Sequence, residues 1–426
     1  MTGIFTLSII VFLLFATYTV ISRDLIHPLY VYLAGAFTVV LMSIIMTNIL
    51  DYNITSPIYK FIFLFSFIFF TFFFLQKIIK KKEISVSLER FHINRRKMQV
   101  LSFFSIVIFI LILIDYISVV GFTGLTNLST VINEYRVGTT YGDAMSISSF
   151  SKQLFRILKL ISFISVYILF FDYNISKHLK RKYFFYLVAP YIVIGLIQGQ
   201  RFGILILIIY TLILWLKKSG HSINVKKAFK IILIISGAII LFSLSRHIVG
   251  RSLSKGTIEY VASYFGNSVI NFDWFYNHQY DTGRALNYGL STFNGILDFL
   301  QDIGVYTSEI ETHYSSFVYL NPNSYVSTGN VFTSFVYYLY DFGVLGVFIF
   351  PLIIAAFSNI LYRKNKYIGE INIGLILYAI LSSNLFMETY TSTFLGQLIS
   401  EDFVITVFFL YCICTYLTSK QTNGGY

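Results

Sequence analysis

Long apolar runs alternate with short polar connections from one end of this chain to the other. Stretches rich in Ile, Leu, Val and Phe recur over residues 4–22, 28–49, 57–76, 98–117, 153–172, 183–199, 201–217, 230–249, 338–361, 371–388 and 402–418. Each is close to the roughly 20 residues that cross a bilayer as a helix. The pattern predicts an all-α polytopic membrane protein of about 11 transmembrane helices, folded as one membrane-embedded domain over residues 1–426. Two connections break the rhythm, one over residues 119–152 and a larger one over residues 247–328. Connections of that length are commonly functional. Within the larger one, "FNGILDFLQDIG" (293–304) reads as a short amphipathic helix and "LNPNSYVSTGN" (320–330) as a turn-rich stretch, so this loop is expected to be partly helical.

Composition agrees with the pattern. The chain is 56% hydrophobic and 12% charged, about half the charged share of an ordinary soluble domain. The net charge of +12 would suit nucleic acid, but its distribution points elsewhere. The Lys and Arg residues gather in short connections: eight in 77–97, four in 177–182, five in 217–230 and three in 363–366. If the spans alternate, all four segments fall on one side, which the positive-inside rule makes cytoplasmic. The N-terminus is then outside and the tail "SKQTNGGY" inside. The N-terminus lacks a basic n-region and a small-residue cleavage pattern, so it is read as a retained first span. Cys412 and Cys414 point to different sides of a helix, which argues against a disulfide or a metal pair.

One charge stands out. Between Lys182 and Lys217 the chain carries only Arg201, in "GLIQGQRFGILILIIY", and an Arg facing lipid costs several kcal/mol, about 2.5–3.5 on insertion scales. Both flanks of this apolar hairpin are basic, so "QGQR" lies at its turn on the outer side, with Gly199 and Gly203 permitting a tight turn. Arg201 is therefore expected at the outer face or in a cavity below it.

The other outer cations are Arg136, Arg246, Arg251, Lys255 and Arg284, with Lys152, Arg156 and Lys159 near the start of the fifth span. In "SRHIVGRSLSK", His247, Arg251 and Lys255 share a face if the helix continues. Such a stripe opposite Arg201 would suit a diphosphate, whose oxygens match the guanidinium fork. At a helix end, Arg246 and Arg251 fit snorkelling to the interface equally well. Candidate bases are Glu134, Asp273, Asp281, Asp298, Asp302, Glu309, Glu311, His313, Asp341 and Glu388, most of them expected to be solvated surface. Trp274, Phe275 and Tyr276 suit sugar stacking or docking at the bilayer interface. Neither a metal-ligand motif nor a nucleotide-binding glycine motif is found, so no metal and no cofactor is expected.

"GQRFGILILIIY", the large outer loop and then "GNVFTSFVYYLYDFGVLGVFIF" (329–350) resemble the Wzy-type polymerases of O-antigen and capsule assembly. These are similar in layout to the O-antigen ligases, among the C-type membrane glycosyltransferases. The best-matching segment holds Asn330, Tyr340, Asp341, Gly343 and Gly346. The resemblance implies a metal-independent glycosyltransferase of the bacterial inner membrane. It would join oligosaccharide repeat units carried on undecaprenyl diphosphate, the hydroxyl of one unit attacking the anomeric carbon of the growing chain. It implies Arg201 and Arg246 as the principal diphosphate ligands, with Arg251 and Arg136 assisting, and Asp341 and His313 near the chemistry. His247, Lys255, Arg284, Asn330 and Tyr340 would contact substrate. Implied partners are membrane lipids and two proteins of the same pathway, a chain-length regulator and a flippase. The ligases' His-Asn pair ahead of a Glu-x-Gly-x-x-Gly pattern is incomplete here. "DFGVLG" carries Asp for Glu, Gly329-Asn330 lacks the histidine, and the general base stays unassigned. That departure favours polymerase over ligase. A flippase for the same lipid-linked units is a further alternative, against which stand the large outer loop and the lack of an internal repeat. A membrane scaffold anchored by its arginines is another.

Overall fold

The computed structural model describes residues 2–79, 93–121, 128–141, 146–172, 175–220, 256–280, 289–293, 295–297, 318–320, 327–364 and 371–418, with positions 230, 233, 237, 239, 240, 300 and 305. Among these the architecture is helical throughout, apart from one small hairpin. In chain order the helices are α1 (Thr2–Ala16, continued by a π-helical turn, Thr17–Ile21), α2 (Pro28–Leu50), α3 (Ile58–Ile79), α4 (Arg95–Val120), α5 (Leu128–Tyr141), α6 (Ser149–Phe171), α7 (Lys177–Leu187), α8 (Ala189–Ile197) and α9 (Arg201–Ser219). They continue as α10 (Thr257–His278), α11 (Ser334–Lys364), α12 (Ile373–Met387), α13 (Phe394–Leu398) and α14 (Glu401–Thr418). The hairpin pairs β1 (Val318–Tyr319) with β2 (Ser327–Gly329), antiparallel, Val318 opposite Gly329.

Eight of these helices are long and apolar enough to cross a membrane: α1 with its π turn, α2, α3, α4, α6, α9, α11 and α14. The protein is a polytopic all-helical membrane protein. The other three of the eleven runs expected as spans are not among these eight. The run 183–199 is interrupted at Val188, immediately before Ala189-Pro190, and yields two short helices. The run 371–388 forms only the 15-residue α12. The run 230–249 lies mostly outside the described residues.

Polar caps start these helices where the sequence supplies them. His27 Nδ1 accepts from Leu29 N ahead of Pro28, and Asn94, Ser148, Ser176 and Asn372 cap α4, α6, α7 and α12. The basic connections border one end of the bundle. Lys97 Nζ donates to the carbonyls of Tyr416 (2.8 Å) and Leu417 (3.2 Å), and Lys180 donates to that of Leu169 (2.8 Å). Lys218 donates to the carbonyl of Phe170, and Arg363 to Gln76 Oε1. The Asp172 carboxylate, at the end of α6, accepts from Ile93 N. Three lysines thus satisfy the terminal carbonyls of α6 and α14, where the helix dipole also favours a cation.

The segment expected as an outer loop over 247–328 contains α10, which lies along α2. Four polar residues, Glu259, Asn267, Asn271 and Asp273, hide this helix from a hydropathy reading. Three of them are buried in defined contacts. Asn267 Nδ2 donates to the carbonyl of Thr328 (3.0 Å), and Asn271 Nδ2 donates to that of Val331 (2.8 Å). Asp273 accepts from Thr55 N (2.9 Å), Ser56 N (2.6 Å) and the Tyr52 hydroxyl (2.7 Å). Of the stretch 320–330 expected to be turn-rich, residues 327–329 form β2, held by Asn267 and Asn271, and 321–326 lie outside the described residues. The amphipathic helix expected over 293–304 lies largely outside the described residues.

α2 is the axis of the bundle, packed by α1, α3, α10, α11 and α12. Two of its contacts bring backbone onto backbone. A Cβ at Gly266 of α10 would sit 2.5 Å from the carbonyl oxygen of Met42, and one at Gly35 would sit 1.8 Å from that of Phe386 in α12. Ala262 and Gly266 form a small-xxx-small face of the kind that lets membrane helices approach closely. Gly266→Ala and Gly35→Ala are therefore expected to destabilise by at least the about 1–3 kcal/mol of an overpacked interior, read as a lower melting temperature in detergent. Gly396→Ala, whose Cβ meets nothing within 4 Å, should leave that temperature unchanged.

Candidate functional site

The lone arginine of the apolar hairpin opens α9. α8 ends at Gln198, Gly199 reverses the chain with φ 71°, and Gln200 N returns to the carbonyl of Gly195 at 2.7 Å. Arg201 then begins the next helix at the end of the bundle opposite the basic one. It is only 4% exposed. Its guanidinium carbon lies 5.5 Å from the ring centre of Tyr260 and 5.8 Å from that of Tyr264, both on α10. The slot is extended by Tyr390, stacked on Tyr264 (5.5 Å) and on Phe202 (6.4 Å). A delocalised guanidinium is weakly hydrated and suits such aromatic faces.

Beside this slot is a cavity of about 710 Å³. Gln198, Gly199, Gln200, Phe202 and Gly203 give it one wall, and Lys152, Phe155, Arg156 and Lys159 of α6 another. Tyr135, Ser146, Tyr191, Asn384, Gln397 and Asp402 add further polar groups to the lining. Arg156 pairs with Glu401 (3.2 Å) and with Asp402 (3.1 Å), and Lys159 pairs with Asp402 (3.5 Å). Gln397 Nε2 donates to Asp402 Oδ2 at 3.1 Å. Burial pushes the Tyr135 phenol up, and its hydroxyl accepts from Ile147 N at 3.4 Å. Among the described residues no three of His, Cys, Asp and Glu gather as a metal set.

The other expected site residues are distributed as follows. Arg246, His247, Arg251, Lys255, Arg284 and His313 lie outside the described residues. So does the side chain of Arg136, whose backbone is part of α5. Asn330 is exposed just after β2, and Tyr340 is buried with its ring 6.1 Å from that of Phe275. Asp341 is fully buried, its carboxylate accepting from Ser291 N (3.1 Å) and Thr292 N. α11 is broken just beyond it, at Gly343 (φ 59°, ψ −155°). Trp274 stacks on His278, Tyr276 on Tyr280, and Phe275 is fully buried.

Two features of this end are named in the sequence reading without the arrangement the structure gives them. Lys152, Arg156 and Lys159 were grouped there only by position, although i, i+4, i+7 spacing already puts them on one helix face. The second is Glu388, fully buried at the end of α12. It accepts from the Tyr338 hydroxyl and from the backbone N–H of Thr393 (3.0 Å) and Phe394 (2.8 Å), joining α11, α12 and α13. No spacing signal marks it.

Compared with models of protein families, with curated proteins and with solved structures, the chain finds no match.

Glu388→Leu removes the buried acceptor of the Thr393 and Phe394 N–H groups and is expected to destabilise by about 1–3 kcal/mol, read as a lower melting temperature in detergent. Glu388→Gln keeps an amide oxygen for them and should cost less. Equal melting temperatures for Glu388→Leu and wild type would contradict this role.

Proposed function

We propose that this chain polymerises undecaprenyl-diphosphate-linked oligosaccharide repeat units at the outer face of a bacterial inner membrane, in O-antigen or capsule synthesis. The hydroxyl of one lipid-linked unit attacks the anomeric carbon of the growing chain. The glycosidic bond forms as the bond to the lipid diphosphate breaks, and undecaprenyl diphosphate leaves. The observation that carries this reading is Arg201. It is a buried guanidinium at a helix start, far from the basic end and beside a cavity with three more cations. Charge placed at such depth marks function in membrane proteins by default, and a developing diphosphate leaving group is what guanidinium groups stabilise. The "DFGVLG" segment and the "GQRFG" turn supply the resemblance on which the reaction class rests.

In the same proposal the eleven-span topology is retained, with α7–α8, α12 and the run 230–249 completing the count. The basic end faces the cytoplasm, and the cavity opens to the periplasm. Arg246, Arg251 and Arg136 join Arg201 at the diphosphate, with His247, Lys255, Arg284, Asn330 and Tyr340 toward the sugars and Asp341 and His313 as candidates for the base. A chain-length regulator and a flippase of the same pathway are the expected partners.

Deletion is expected to leave the cell surface decorated with single repeat units. Loss of a ligase would leave none attached, and loss of a flippase would strand units on the inner leaflet. Arg201→Lys keeps the charge and loses the fork, so polymer should fall by about 10²-fold, the scale of a lost transition-state donor, at unchanged protein level. Unchanged polymer would remove Arg201 from the chemistry. Orientation has its own check, with Cys412 and Cys414 replaced by Ser. A membrane-impermeant thiol reagent added outside should label Asn330→Cys and spare Lys177→Cys.

A further inference from the structure

Among the described residues, the α6 face in the cavity carries more positive charge than its neighbours neutralise. Lys152, Arg156 and Lys159 face a described lining with one carboxylate, Asp402, and Glu401 pairs with Arg156 from outside it. With both of these carboxylates paired, one cation of the three is in excess. The pairs are also accessible, since the four side chains are 24–33% exposed. A solvent-accessible ion pair contributes little, so exchanging one partner for another anion is inexpensive. Around the cations stand hydrogen-bonding amides (Gln198, Gln200, Asn384 and Gln397), with Phe155 and Phe202 as apolar surface.

We infer that this cavity is an anion seat in which Asp402 holds Arg156 and Lys159 in place until the phosphate of a diphosphate ligand displaces it. Lys152, exposed on the same face, meets the incoming charge first. Arg156 then offers its fork to phosphate oxygens in the orientation that Asp402 had already fixed, which reduces the ordering cost of binding. Asp402 is a resident counterion and sets the affinity by competing with the ligand. The inference rests on the anionic-substrate part of the proposed function. It adds α6 to the proposed diphosphate contacts, alongside Arg201. The shared chemistry is a diphosphate, either free or at the head of a prenyl chain.

The test uses purified full-length chain in detergent, titrated calorimetrically with inorganic pyrophosphate and, in a second arm, with farnesyl diphosphate. Asp402→Asn should tighten binding of both probes by several-fold. Arg156→Gln should weaken it by about tenfold, the worth of one charge-assisted hydrogen bond. Lys152 takes no part in the pairs that join Arg156 and Lys159 to Glu401 and Asp402, so Lys152→Gln is expected to fold normally and should weaken binding several-fold with a shallower salt dependence. Tighter binding of farnesyl diphosphate identifies a lipid source, and equal binding identifies a free one. The seat is overturned if Asp402→Asn folds and binds no more tightly than wild type. It is equally overturned if Lys152→Gln and Arg156→Gln bind like wild type, or if neither probe binds wild type at millimolar concentration. Normal polymer from a Lys152→Gln/Arg156→Gln double variant would overturn the seat and leave the polymerase reading standing. Binding that follows the expected order in a chain whose deletion leaves polymer intact would do the reverse.

Discussion

Turns between membrane helices expose backbone N–H groups that need acceptors, and in this protein buried carboxylates supply them. Asp273 accepts from Thr55 and Ser56, Asp341 from Ser291 and Thr292, and Glu388 from Thr393 and Phe394. Asp172 does the same for Ile93, and the partly exposed Asp115 for Ser148. Each side chain sits in or at the end of a helix and fastens a connecting segment. An unpaired N–H in such surroundings costs several kcal/mol. A carboxylate that satisfies two at once is therefore a fastening as well as a charge. The ends of the bundle take their shape from these clamps, and the cavity beside Arg201 is lined by segments they hold.

Between the clamps, the bundle is organised around α2. The close approaches at Gly35 and Gly266 set α12 and α10 on two of its faces. Those helices in turn bring Tyr260 and Tyr264, and Tyr390 just after α12, to the aromatic slot. A chain of contacts thus runs from a helix with no role in any proposed chemistry to the guanidinium that carries the functional reading. A mutation in α2 would be felt at Arg201 through geometry alone.

The apolar runs were legible because a bilayer-crossing helix leaves a long, contrast-rich signature, and the helix ends fell within a few residues of the polar punctuation. α10 was not legible. Asn267, Asn271 and Asp273 lower its average hydropathy, and only the coordinates show that their polar groups are consumed by β2 and by the 51–56 turn. The break before Pro190 had a visible cause in the proline, outweighed by the apolar residues on both sides. At the site, the isolation of Arg201 was plain in the sequence and its burial follows from it. Three of the carboxylates read as candidate bases, Asp273, Asp341 and Glu388, also accept backbone N–H groups of connecting segments. A carboxylate's acceptors-only chemistry is the same in either role, and only its neighbours distinguish them. The Gly343 of the segment that carries the resemblance coincides with the break in α11, so its presence has a local conformational reason whatever reaction the protein performs.

The brevity of α12 has a consequence of its own. Its 15 residues span about 22 Å at 1.5 Å per residue, against a hydrocarbon thickness of about 30 Å. Hydrophobic mismatch of this kind is relieved by local thinning or by sinking the flanking polar residues toward the midplane. In the eleven-span topology proposed above, Glu388, Tyr390 and the neighbouring wall of the cavity then lie beneath the level of the surrounding headgroups. A molecule tethered to the leaflet by its tail can reach that depth by sliding laterally between acyl chains, whereas a water-soluble one has to descend from above.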